Sequence, residues 1–137
     1  MTRIFVDTSG WGHLADPRQE YARQATELYM EARRSDGVVT SNYVIAELAA
    51  LLISPLRVKG SKRIDIINGI RSSSYIGIVH IDAALDERAW KLAQERPDKD
   101  WSLVDSTSFV LMQELGITEA LTTDHNFEQA GFIRLLK

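Results

Sequence analysis

Five short apolar runs, Arg3–Val6, Val38–Thr40, Tyr75–His80, Ala120–Thr123 and Phe132–Leu135, are spread along the chain and separated by segments of helical spacing. The connections between them are longer than hairpin loops, so successive strands are joined by crossovers and run parallel. A parallel sheet needs both faces covered, and right-handed crossovers place helices on each side. The expected fold is α/β: a three-layer α/β/α sandwich with a central parallel sheet of four to five strands. At 137 residues it is expected to be one domain spanning 1–137.

The helices between these strands carry their own punctuation. Asp16-Pro17 reads as a cap followed by a proline at the first helical position, with Tyr21, Ala25, Leu28, Tyr29 and Ala32 on one face and a stop at Ser35-Asp36-Gly37. Ser41 or Asn42 caps a helix bearing Val44, Ile45, Leu48, Leu51 and Leu52, which Pro55 ends. Residues 57–74 form a further helix, Asp82 opens one that Pro97 closes, and Ser102 to Leu115 is closed by Gly116. Asp7-Thr8-Ser9-Gly10 reads as a turn. Trp90 falls on an apolar helical face and is expected in the core, as is Trp11.

Composition removes several function classes. The chain has no cysteine, which excludes disulfides, thiolate zinc sites and a cysteine nucleophile. Its most apolar run, Val44–Ile53, contains Glu47 and falls well short of the roughly 20 residues that span a bilayer. With no secretory pattern at Met1–Asp7, a cytoplasmic location is expected, with no membrane contact. Net charge is −3, but it is unevenly spread. Residues 48–81 carry five basic groups, Arg57, Lys59, Lys62, Arg63 and Arg71, against the single acid Asp65. That segment could follow RNA phosphates, or it could be a solvated hairpin or a protein contact.

In open parallel sheets, ligands bind beyond the carboxyl ends of the strands, so acids at those ends draw attention first. Asp7 follows the first strand and Asp124 the fourth. Each is also a reasonable turn aspartate. Glu47 has Tyr43, Val44, Ala50 and Leu51 as its helical neighbours, so it is expected to be partly buried, either paired at the edge of the apolar face or facing a cation. Ser102-Leu103-Val104-Asp105 resembles a capping box, yet Asp105 shares a face with Phe109 and Met112. Asp100 is a loop acid or a further member of the same pocket. Acids gathered at one sheet end repel one another unless a hard cation sits between them, which predicts magnesium (Mg2+), with manganese (Mn2+) as a substitute, and hydrolysis of a phosphodiester.

Four segments carry a resemblance: Phe5-Val6-Asp7-Thr8-Ser9, Ser41 to Glu47, Trp101 to Ser106, and Leu121-Thr122-Thr123-Asp124-His125-Asn126-Phe127. In order and spacing they resemble the four acidic motifs of PIN domains, and the compact chain looks like a toxin of the VapC type. The resemblance implies a magnesium-dependent endoribonuclease acting on RNA, usually a homodimer, held inactive by a small antitoxin. It implies Asp7 and Asp105 as principal metal ligands, with Glu47 and Asp124 completing a catalytic quartet; Asp100, from its place just before the helix rather than from the resemblance, is a further metal candidate. Thr8 or Ser9 matches the polar residue beside the first aspartate, so both are candidate substrate contacts together with Lys59, Lys62 and Arg63.

Other readings fit less well. A haloacid dehalogenase-like phosphatase places a second aspartate where Ser9 stands, and Gly10 and Gly12 are not followed by the lysine of a phosphate loop. His13, His80 and His125 are scattered and give no zinc pattern. An RNA-processing PIN nuclease outside a toxin system, or a binding module without turnover, shares every one of these features. Trp101, beside the pocket, either packs in the core or stacks on a base.

Overall fold

The computed structural model describes residues 3–137; Met1 and Thr2, the start of the segment read for a leader, lie outside the described residues. Five strands, β1 (Ile4–Val6), β2 (Val38–Ser41), β3 (Ile76–Val79), β4 (Glu119–Leu121) and β5 (Ile133–Arg134), form one parallel sheet in the order β3-β2-β1-β4-β5. Every pairing is parallel, with Ile4 opposite both Val38 and Glu119. Among the described residues seven helices connect and cover the strands: α1 (Thr8–Ala15), α2 (Ala22–Arg33), α3 (Asn42–Ile53), α4 (Gly60–Ser72), α5 (Ala83–Glu95), α6 (Leu103–Leu115) and α7 (Asn126–Gln129). The α/β sandwich is therefore as expected, with five strands.

Successive strands move outward from β1 to β3, and the chain then crosses back to β4 and β5. The reversal sits between β1 and β4. At such a switch point the loops leave the sheet on opposite faces and open a crevice at the strand ends. β1 is apolar throughout, with Phe5 and Val6 fully buried like Leu121 of β4, and Leu48, Met112, Phe127 and Leu136 belong to the same core. No helix of the described residues is long and apolar enough to cross a membrane.

Several boundaries differ from the sequence expectation. Asp7-Thr8-Ser9-Gly10 is not a free turn: Asp7 is the N-cap residue of α1, with Trp11 N–H donating to the Asp7 carbonyl at 3.0 Å. Asp16-Pro17 does not start α2. The Asp16 carboxylate instead takes the Arg18 backbone N–H, the Arg18 guanidinium and the Gln19 amide, closing a tight local turn that delays the helix to Ala22. The helix expected over 57–74 begins only at Gly60. β3 is an edge strand and only half buried. Trp90 is 53% exposed, because the α5 face buried against the rest of the protein is carried by Leu85 and Ala89. Trp11 is buried as expected, its indole N–H donating to Thr40 Oγ1 at 3.2 Å.

One glycine decides how close α1 can come to β4. A Cβ on Gly10 would lie 2.1 Å from the Leu121 carbonyl oxygen, which is far inside contact distance. Gly10→Ala is therefore expected to force α1 off the strand end and to cost at least about 2 kcal/mol of stability, as overpacking against backbone does. Denaturant unfolding of the variant beside wild type checks this. An unchanged midpoint would mean that α1 can shift at no cost.

Candidate active site

The crevice at the switch point is an open pocket of about 540 Å³ lined by Asp7, Thr8, Ser9, Glu47, Asp100, Ser102, Asp105, Thr123, Asp124 and Asn126, with Leu51 on one side. Five acids from five places in the sequence thus share one opening. Asp7 comes from the end of β1, Glu47 from α3, Asp105 from the first turn of α6, and Asp100 and Asp124 from the loops before α6 and after β4. A roomier pocket of about 720 Å³ lies between α2, α4 and the start of β3, but only one acid, Asp65, lines it.

Asp7 is buried, with 5% of its surface exposed, and its Oδ2 accepts a hydrogen bond from Thr122 Oγ1 at 3.0 Å. Burial pushes its carboxyl up to about 7, and the charges of Asp105 and Glu47 push the same way, against the Thr8 N–H and the Thr122 hydroxyl. Asp105 is also raised, first by burial, then by the charges of Asp124 and Glu47, with the Ser102 N–H and the Asn126 amide opposing. The capping box is real as well: Ser102 Oγ accepts from Asp105 N–H and Asp105 Oδ2 accepts from Ser102 N–H. The two readings of Asp105 therefore coexist, since the first turn of α6 that the cap rigidifies is the one that presents the acid. Glu47 is exposed rather than partly buried, because it lies on the rim side of α3, and there it accepts the Thr8 hydroxyl.

Asp124 does not follow β4 directly; Thr122 and Thr123 intervene, and Thr122 is a hub. A hydroxyl has one proton and two acceptor lone pairs. Thr122 Oγ1 gives its proton to Asp7, so it accepts both from Asp124 N–H and from Ser9 Oγ, each at 3.0 Å. Ser9 Oγ in turn accepts from Thr123 N–H at 2.9 Å, and Arg134 on β5 donates to the Thr123 carbonyl at 2.9 Å. Asp124 Oδ1 accepts from Asn126 N–H at 2.9 Å, so the turn-aspartate role is also present. Sequence reading missed Thr122 and Asn126 as site residues. The only available signal was their position flanking Asp124.

Thr8 and Ser9, expected at the substrate, line the pocket with their hydroxyls already engaged on Glu47 and Thr122. Lys59, Lys62 and Arg63 do not line it; Lys59 precedes α4, Lys62 is exposed, and Arg63 donates to the Val58 carbonyl at 2.7 Å. Trp101 packs edge-on against Phe109 at 5.1 Å and donates to Gln129 at 3.2 Å, while Phe109 meets Phe127 at 4.9 Å and Phe132 at 5.8 Å. Trp101 directly follows Asp100 and Phe127 lies three residues after Asp124, so the cluster anchors the chain beside both acids.

The PIN-domain family model matches residues 4–133. The chain belongs to the PIN-domain family. This PIN domain is 35% identical over 132 residues to the 23S rRNA-specific endonuclease VapC20 of Mycobacterium tuberculosis, in both the CDC 1551/Oshkosh and H37Rv strains, with 96% of this chain and 97% of the relative covered. Superposed on the crystal structure of VapC20, described as a sarcin–ricin loop cleaving toxin, it reaches a TM-score of 0.86 at 30% identity, covering 98% of this chain and 99% of the other. PAE2754 from Pyrobaculum aerophilum shares the fold, with a TM-score of 0.66 at 17% identity over 98% and 90% of the two chains.

The carboxylates of this PIN domain's pocket offer only oxygen donors, and the Asp7 carboxyl is raised first by burial and then by neighbouring acids, so a hard divalent cation fits the chemistry of the pocket. No group of three or more histidine and carboxylate side chains among the described residues is arranged to enclose a metal ion by itself. Asp7, Glu47, Asp100, Asp105 and Asp124 rim the open pocket instead.

The raised Asp7 carboxyl has a consequence for stability. Between the unfolded value of 3.8 and the folded value of about 7 the folded chain binds the extra proton, so stability falls as pH rises across that window and stays lower above it. Asp7→Asn removes the charge, and in chelator it should stabilise the fold more at about pH 8 than at about pH 4.5, by a difference on the order of a few kcal/mol. Thermal unfolding at the two pH values measures this. An equal gain at both would mean that ionised Asp7 costs the fold nothing.

Proposed function

We propose that this PIN domain is a magnesium-dependent endoribonuclease that hydrolyses a phosphodiester bond of ribosomal RNA, and that it is the toxin of a toxin–antitoxin pair. The observation that carries the reading is the sharing of one open pocket by Asp7, Glu47, Asp105 and Asp124, with Asp7 buried and its charge resisted by its neighbours. Near full-length similarity to an rRNA-specific endonuclease supports the choice of RNA.

Asp7 and Asp105 are the residues that would hold the ion. When bound, it supplies charge stabilisation for the phosphoryl oxygens and makes water more acidic. Glu47 and Asp124 complete the quartet at the less enclosed side of the pocket and accept hydrogen bonds from the attacking water. Thr122, Ser9 and Thr8 keep the carboxylates in place as negative charge builds on the substrate. In the cell the protein acts in the cytoplasm as a homodimer, silenced by a small antitoxin.

Sequencing of RNA ends after brief induction tests the reading directly. Discrete new ends in ribosomal RNA are expected with wild type and none with Asp7→Asn, alongside growth arrest that a neighbouring antitoxin gene relieves. In vitro, chelator should abolish cleavage and Mn2+ should restore it. Identical end profiles for the two proteins would overturn the nuclease, and cleavage persisting in excess chelator would overturn the metal.

We assign the phosphates away from the scissile bond to the basic segment around α4. Arg63 is partly committed to the Val58 carbonyl, so the cleaner variant changes Lys59 and Lys62 together to Ala. RNA affinity is expected to fall and the salt dependence to flatten by a slope of about 2. Binding isotherms at several salt concentrations measure both. An unaltered slope would remove this segment from the RNA path.

A further inference from the structure

Asp105 and Asp124 stand on different elements, α6 and the loop after β4, and the charge of one raises the carboxyl of the other. One residue bridges them. Asn126 donates from Nδ2 to Asp105 Oδ2 at 3.2 Å and to the Asp100 carbonyl at 3.3 Å, while its backbone N–H goes to Asp124 Oδ1 at 2.9 Å. The residue is buried, with 9% of its surface exposed. Chemistry sets the amide orientation, because the opposite flip would turn the carbonyl oxygen onto a carboxylate and a second carbonyl. Ser102 N–H donates to the same Asp105 Oδ2 at 3.1 Å. That oxygen therefore takes two donors, and among the described residues none donates to Asp105 Oδ1.

We infer that Asn126 is a positioning residue that ties Asp105 to Asp124 and to the Asp100 loop, and so presents Asp105 Oδ1 to the cation. This rests on the nuclease reading above. An aspartate at 126 would put another carboxylate against Asp105, and an aliphatic side chain would supply no donor, so a side-chain donor is what this position requires, and the Asn126 amide supplies it. The backbone at 126 has its own anchor in Phe127, which is fully buried and packed edge-on against Phe109. Loss of the amide should accordingly leave the fold standing.

The test compares wild type, Asn126→Ala and the near-isosteric Asn126→Asp by melting temperature, by Mn2+ titration calorimetry, and by kcat and KM on ribosomal RNA. Asn126→Ala is expected to melt close to wild type, to bind Mn2+ about tenfold more weakly, and to lose roughly 10- to 100-fold in kcat with KM little changed. Asn126→Asp should lose at least as much despite its shape. Wild-type Mn2+ affinity and kcat in both variants would overturn the positioning role and leave the nuclease standing. A wild type inert toward RNA would overturn the nuclease, with the Mn2+ affinities still deciding the role of Asn126. A wild type that binds no Mn2+ would overturn both.

Discussion

A carboxylate buried at the carboxyl end of a central strand is costly, because the low-dielectric surroundings and the nearby charges of Asp105 and Glu47 both resist its ionisation. Much of the local architecture serves to make Asp7 tolerable there. β1 lies between β2 and β4, so the backbone N–H of Asp7 is used by the Leu121 carbonyl at 3.2 Å, and the side chain emerges where the strand order reverses. Gly10 lets α1 descend onto the Leu121 carbonyl, and that close approach brings Ser9 within reach of Thr122. Without it, the hydroxyl pair beside Asp7 would have no fixed geometry.

The other acids are held by the same device at different levels of enclosure. Thr8 is bonded to Glu47, Ser102 and Asn126 to Asp105, and the Asn126 backbone to Asp124. Each donor both offsets negative charge and leaves its carboxylate restricted in rotation, which preorganises a site that a solvent-exposed acidic cluster would lack. The aromatic group of Trp101, Phe109, Phe127 and Phe132 keeps the two loops that carry Asp100 and Asp124 on a solid base. Energy from apolar packing on one side of the loop is what permits crowded acids on the other.

Much of this was legible in the chain itself. The parallel sheet followed from apolar runs too far apart for hairpins, and the ends of α3 and α6 followed from Ser41, Pro55, Ser102 and Gly116, whose roles are local. Asp7 and Asp105 could be picked out because a strand end and a helix first turn are sequence-local features, Asp124 because it follows the fourth apolar run, and Glu47, in the middle of α3, because its helical neighbours are apolar. Where reading failed, a competing contact, local in one case and tertiary in the other, had overridden the signal. Asp16-Pro17 looked like a helix start, but its carboxylate was claimed by Arg18 and Gln19. Trp90 looked like core, but α5 turned Leu85 and Ala89 inward instead.

What the sequence determined by itself was the alternation of strand and helix and the presence of acids at several element ends, because both depend on spacing along the chain. What only the tertiary structure decided was the strand order that brings those ends together, and hence which acids meet. Burial of Asp7, exposure of Glu47 and the bonds that carry Thr122 to Asp7 and Asn126 to Asp105 depend on partners far apart in the chain, 115 positions in the first bond and 21 in the second. Hydrogen bonds of that span are set by how helices pack on the sheet, and no periodicity along the chain encodes them.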